Sequence, residues 1–155
     1  MSIEDKLSAI GLSLPASAPA MAQYTPVVIH GGLAYVSGQL PRDGSHVTVT
    51  GPVGRDSSTE EARQGTKLAL LRGLAALKSE LGSLDHVQGV LKLTVFVQSA
   101  ADFTGQSEVA DGASELIFRL FGPDRGRHAR SAVGVFKLPS NASVEVELIA
   151  SLRPA

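Results

Sequence analysis

Apolar residues recur along this chain with two periods, and the places where the period changes mark out its elements. Ile3, Leu7 and Ile10 fall at helical spacing in a short segment that Gly11 ends, which predicts a helix over Ser2–Ile10. The Pro/Ala/Ser stretch from Leu14 to Ala22 has no periodicity and reads as an extended connector. Tyr24–His30 and Leu33–Ser37, separated by Gly31-Gly32, predict a β-hairpin. Asp43-Gly44 marks a turn in the looser segment beyond, and Val47–Thr50 suits a short strand.

The helical period then dominates. Ser58 followed three residues on by Glu61 offers a capping box. Ala62, Thr66, Ala69, Leu70, Gly73, Leu77 and Leu81 continue an apolar stripe until Gly82. Val87–Val97 is rich in β-branched residues and reads as a strand. A second long helix is expected over Gln106–Phe121, with Val109, Ala113, Leu116, Ile117 and Leu120 inward and Gly122-Pro123 as its stop. Ser131–Leu138 and Val144–Leu152 read as the last strands, joined by a turn over Pro139–Ala142.

This order predicts an α+β fold with one sheet and two helices packed on one face. Along the central strand Leu91, Leu93, Val95 and Val97 alternate with Val90, Lys92, Thr94 and Phe96. Farther on, Ala132, Gly134 and Phe136 alternate with Ser131, Val133 and Val135. Both faces are thus expected to be apolar, which points to association through the face without helices. Loops folded across that face are the alternative.

Composition narrows the class. The 155 residues are 43% hydrophobic and 19% charged, enough for one domain with a core and unlike a disordered chain. Fourteen basic residues against fifteen acidic ones leave a formal charge of −1, and no block of like charge stands out. A nucleic acid or an anionic membrane is therefore not an expected partner. Cys is absent, which excludes disulfides, thiolate metal sites and thiol nucleophiles. Glu4, Asp5 and Lys6 interrupt any leader-like apolar run, and no stretch is long enough to span a bilayer, so a cytoplasmic location is expected.

Candidate chemistry concentrates near the carboxyl end. Arg130 opens a strand of small and apolar residues, and its planar guanidinium suits two-point binding of a carboxylate. In VEVELIA, Val144, Val146 and Leu148 should point one way and Glu145 and Glu147 the other. If the short turn makes these two strands neighbours, Arg130 and Glu145 share a face and Glu145 can hold a water or take its proton. An ordinary cross-strand ion pair explains the same spacing. His128 is a candidate acid or base, or a histidine that shapes its turn. The remaining histidines, His30, His46 and His86, lack metal-ligand spacing, and no metal is expected. No glycine-rich phosphate loop occurs, and Ser37 lacks the surroundings of a nucleophile, reading instead as a hydroxyl lining a cleft.

SGQLP (Ser37–Pro41), EARQ before a long helix, KLTVFVQSAADF (Lys92–Phe103), ARSAVGV with LP (Ala129–Pro139) and VEVELIA (Val144–Ala150) occur in an order that resembles the RidA/YjgF family. These are reactive-intermediate imine deaminases, also labelled endoribonuclease L-PSP. The resemblance spans about Gln23 to Arg153, leaving residues 1–22 as an added N-terminal helix and connector before a family domain over 23–155. It implies a chorismate-mutase-like fold, assembled as a homotrimer around a central barrel with clefts between subunits. It also implies catalysis by Arg130 on the substrate carboxylate and by Glu145 on the attacking water. Tyr24, Ser37, backbone groups near Ala132, and Ser107 would line the cleft.

The chain departs from the family pattern in three places. His128 replaces a common Pro, Ala132 a common hydroxyl or thiol, and Ser107 a common Asn. The expected activity is cofactor-free hydrolysis of small 2-imino acids, from enamines such as 2-aminoacrylate, to 2-keto acids and ammonia. A non-catalytic trimer that binds small carboxylates is the alternative, favoured by the polar groups missing at Ala132 and Ser107. Ribonuclease activity ranks last, because neither a basic stripe nor an aromatic platform is present.

Overall fold

A computed structural model describes residues 1–19 and 22–154. The chain runs α1 (Ile3–Ala9), β1 (Val27–His30), β2 (Leu33–Gln39), β3 (Arg42–Asp43), β4 (His46–Val47) and α2 (Thr59–Leu81). It continues through β5 (Val87–Gln98), α3 (Gln106–Arg125), β6 (Ala129–Val135) and β7 (Val144–Leu152). Five strands form one mixed sheet in the order β1-β2-β7-β5-β6, and β3 and β4 make a separate ribbon. That ribbon takes the place of the single strand expected at Val47–Thr50.

The helices begin and end where their local chemistry dictates. At α2 the Ser58 hydroxyl accepts from the Glu61 N–H at 3.1 Å, while Glu61 accepts from the Ser58 N–H at 2.7 Å. Two otherwise orphaned donors are thereby satisfied. In α3 the regular helix ends at Phe121, because Gly122 takes φ 78° and ψ 177° and Pro123 starts a further turn. The two long helices approach closely at Gly112, where an added Cβ would meet the Arg63 backbone and lie 2.6 Å from Thr66 Oγ1.

The two long helices cover one face of the sheet, as expected, and α1 packs beside α3 as a third helix. Ile3 and Leu7 of α1 are buried in the same core as Leu70, Leu74, Leu93 and Ile117. Each stabilises the fold by about 1.5–3 kcal/mol through burial. Lys6 Nζ donates to the Leu120 carbonyl at 2.9 Å, tying α1 to α3.

The sheet order corrects one expectation with consequences for the site. β6 and β7 are not neighbours, because β5 lies between them, parallel to β6 and antiparallel to β7. A parallel pair needs a long crossover, and α3 supplies it between β5 and β6. The segment after β6 then carries the chain back across β5 to β7, so the short connection joins strands that do not pair.

A second correction concerns the faces of β5. Val90 pairs with Ala150 and Lys92 with the adjacent Ile149, so Leu91 is an extra residue in a bulge. Val90 is consequently buried with Leu93, Val95 and Val97 under the helices, while Leu91 is 44% exposed. The face without helices is also more polar than expected. Val28, Tyr35 and Ile149 lie there in register with Lys92, and Thr94 lies beside Glu147. Val28, Tyr35 and Val133 remain among its exposed apolar residues.

Candidate functional site

Glu145 sits on β7 between buried Val144 and Val146, so strand alternation turns it away from the helices. It borders a cleft of about 480 Å³, also lined by Tyr24, Gly38, Gln39, Arg42 and Arg72. The glycine at 38 makes room for the acid. A Cβ there would collide with Glu145 Oε1, and β2 is irregular over the same residues, between Val36 and Gln39. Glu145 is half-buried; desolvation, and then repulsion from Glu147, raise its carboxyl pKa above the ordinary range. Such a group is suited to accept and return a proton.

Arg130 lies on the other face. It is in register with Leu93, whose side chain is buried beneath the helices, whereas Glu145 is in register with Phe96. Two strand spacings and a three-residue offset separate their backbones by roughly 14 Å. Arg130 and Glu145 therefore neither share a face nor form a cross-strand ion pair. β5 between their strands rules out the cross-strand pair, and the register of each strand on β5 sets the two side chains on opposite faces.

The carboxylate that does meet Arg130 is Asp111 on α3, with Nη1 2.6 Å from Oδ1. The same Nη1 reaches Ser114 Oγ at 3.2 Å. Arg130 is 24% and Asp111 46% exposed, which limits the pair to about 1 kcal/mol or less. Nε and Nη2 make no hydrogen bond among the described residues, so part of the guanidinium fork is open. Next to it, Ser114 Oγ lies 2.9 Å from His128 Nε2, and His128 Nδ1 donates to the Gly126 carbonyl at 2.7 Å. With both ring nitrogens engaged, His128 braces the turn into β6.

The other expected residues divide between these two places. Tyr24 is 55% exposed and lines the Glu145 cleft. Ala132 follows Arg130 on the helix-covered face and packs on the core. Ser107 is exposed in the first turn of α3, one turn before Asp111. The Ser37 hydroxyl donates to the Thr25 carbonyl at 2.7 Å. It borders a separate groove of about 290 Å³ with Tyr35, Lys92, Thr94 and Glu147.

Asp111, Ser114, Gly38, Arg42 and Arg72 went unread in the sequence. Three of them carried a signal: Asp111 and Ser114 lie at helical spacing from Ser107, and Arg72 interrupts the apolar run ALLRGLAAL. Among the described residues no three His, Asp or Glu side chains converge as a metal site. No described helix is long and apolar enough to cross a membrane.

Known proteins are similar to the chain over most of its length and of theirs. The family model for endoribonuclease L-PSP matches residues 15–152. Protein TCP17 of Trypanosoma cruzi is 42% identical over 146 residues, covering 94% of this chain and 91% of that protein. A 2-iminobutanoate/2-iminopropanoate deaminase of Dermatophagoides farinae is 28% identical over 139 residues, covering 89% of this chain and 92% of the relative. Among solved structures, Atu1372 of Agrobacterium tumefaciens, a protein of unknown function, has a TM-score of 0.90 at 42% identity, covering 97% of this chain and 92% of its own. A crystal structure from Shewanella oneidensis reaches 0.94 at 31% identity, over 98% of this chain and 100% of its own. A model match over nearly the whole sequence, joined to this strand order and these motifs, makes the chain a member of the endoribonuclease L-PSP family, the RidA/YjgF proteins.

Proposed function

We propose that the protein hydrolyses small 2-imino acids to 2-keto acids and ammonia, at a site completed between two copies of the chain. The observation that carries this reading is the half-buried Glu145 carboxylate, its pKa raised, at the wall of an open cleft. The relative named as a 2-iminobutanoate/2-iminopropanoate deaminase supports the substrate class.

One chain holds Arg130 and Glu145 too far apart, on opposite faces, for a small acid to touch both. β6 pairs on one side only among the described strands, leaving a free edge beside Arg130. A neighbouring copy seated along that edge would bring its Glu145 cleft to the guanidinium, and a closed ring of such contacts is the form that the homotrimer implied by the family resemblance would take.

In this arrangement Arg130 takes the substrate carboxylate and orients the imine carbon. Glu145 accepts a proton from water as the water oxygen bonds to that carbon and passes it to the imine nitrogen, giving a carbinolamine. A second transfer through Glu145 carries the hydroxyl proton to the same nitrogen, and the C–N bond breaks as the C=O bond forms, releasing ammonia and the 2-keto acid. Water supplies the oxygen, no redox change occurs, and no cofactor enters the balance.

The test generates imines with an amino-acid oxidase and follows keto-acid release. The wild-type protein is expected to accelerate release well beyond Arg130→Ala and Glu145→Gln. Equal rates for wild type and Arg130→Ala would reject the activity.

A further inference from the structure

The Glu145 cleft holds two arginines to which neither the family motifs nor the proposed hydrolysis gives a task. Arg42 comes from β3 and Arg72 from α2, and both line the cleft. Arg72 stands between buried Leu71 and Gly73 on a helix whose neighbouring turns face the core. Its Nη1 donates to the Arg42 carbonyl at 3.3 Å. Arg42 donates to the Ser45 carbonyl and to Ser140 Oγ, each at 3.0 Å. No carboxylate pairs with either guanidinium among the described residues, although Arg55, Arg63 and Arg130 each have one.

A partly buried cation without an anion is costly, and two that repel each other cost more. Burial, and then the Arg42 charge, pull the Arg72 pKa below its usual value. Each guanidinium has five N–H donors, and among the described residues most of them make no hydrogen bond beyond those above. The volume points the same way, since about 480 Å³ is room for a ligand well beyond a three-carbon acid.

We infer that Arg42 and Arg72 form a second anion subsite, and that the natural ligand of the cleft is a dianion of the 2-imino or 2-keto dicarboxylate class. The inference rests on the proposed function for the reacting end of the ligand, whereas the distal anion is assigned from the two arginines alone. Glu145 lies at the same cleft as the reacting group, and the distal carboxylate lies on the guanidinium pair, away from the acid.

Calorimetry on the intact protein with 2-oxoglutarate and 2-oxopentanoate isolates the distal carboxylate, because the two acids have the same carbon chain. 2-Oxoglutarate is expected to bind about tenfold tighter or more. Arg72→Gln should abolish that advantage and leave 2-oxopentanoate affinity unchanged, while Arg72→Lys retains part of it. Circular dichroism confirms that each variant is folded, and Arg42→Gln provides the same reading from the other arginine should Arg72→Gln unfold. Equal affinities in the wild type, an advantage that survives both substitutions, or no binding of either acid would overturn the subsite. Imine turnover without a dicarboxylate preference would remove the subsite and keep the hydrolase. A dicarboxylate preference without turnover would do the reverse.

Discussion

Arg130 and Glu145 lie on opposite faces of one sheet, on strands that β5 keeps apart. If they act on one small substrate, they do so from different copies of the chain. Arg130→Ala and Glu145→Ala should each be inactive alone. Unfolded together and refolded as mixed assemblies, they should regain about a quarter of wild-type activity, the statistical share of sites with both residues intact. Activity in the mixture no greater than in the separate variants would exclude a shared site.

Gly38 leaves space for the Glu145 carboxylate, and the obstruction created by a methyl group would fall on the end of a flexible side chain. Gly38→Ala should therefore displace the acid more than it disturbs the fold. We expect kcat to fall at least tenfold with Tm nearly unchanged. A large drop in Tm at full activity would assign Gly38 a purely structural role.

The raised pKa of Glu145 makes opposite demands on activity and stability. As a base it acts ionised, so kcat should rise with pH through its raised pKa, and Glu145→Gln should remove that limb of the profile. In stability, the folded state binds the proton more tightly than the unfolded state between the ordinary carboxyl pKa and the raised one. Stability from this group is thus lost as pH rises through that window. Glu145→Gln should raise Tm at pH 7–8, with the difference vanishing below the window. A Tm difference independent of pH would contradict the desolvated acid.

At the crossing of α2 and α3, Gly112 faces the Arg63 backbone and the Thr66 hydroxyl. Backbone cannot rotate aside as a side chain can. Gly112→Ala should destabilise the protein by about 1–3 kcal/mol, measured by urea unfolding. A change below about 0.5 kcal/mol would mean that the helices separate without cost.

The helices and strands were legible wherever one physical rule decided them locally. Ser58 and Glu61 mark the start of α2 because a capping box needs only those two residues and the backbone between them. Gly122 and Pro123 end the regular part of α3 for equally local reasons, one by its positive φ and the other by its missing N–H. Alternation likewise sends Val144, Val146 and Leu148 to the core and Glu145 and Glu147 away from it. The bulge at Leu91 escaped this reading, since one inserted residue exchanges the faces of everything before it.

The candidate site was legible as residue types and not as an arrangement. The sequence by itself determined that Arg130 and Glu145 are charges set into apolar strands, each needing water, an ion or a ligand. Only the tertiary structure decided which strand lies beside which, placing β5 between them, Asp111 against Arg130, and Arg42 with Arg72 at the Glu145 cleft. Periodicity reports the face that a segment buries, because that follows from backbone geometry within it. Strand order depends on how the crossover helix packs, a contact between residues far apart in the chain that no local pattern encodes.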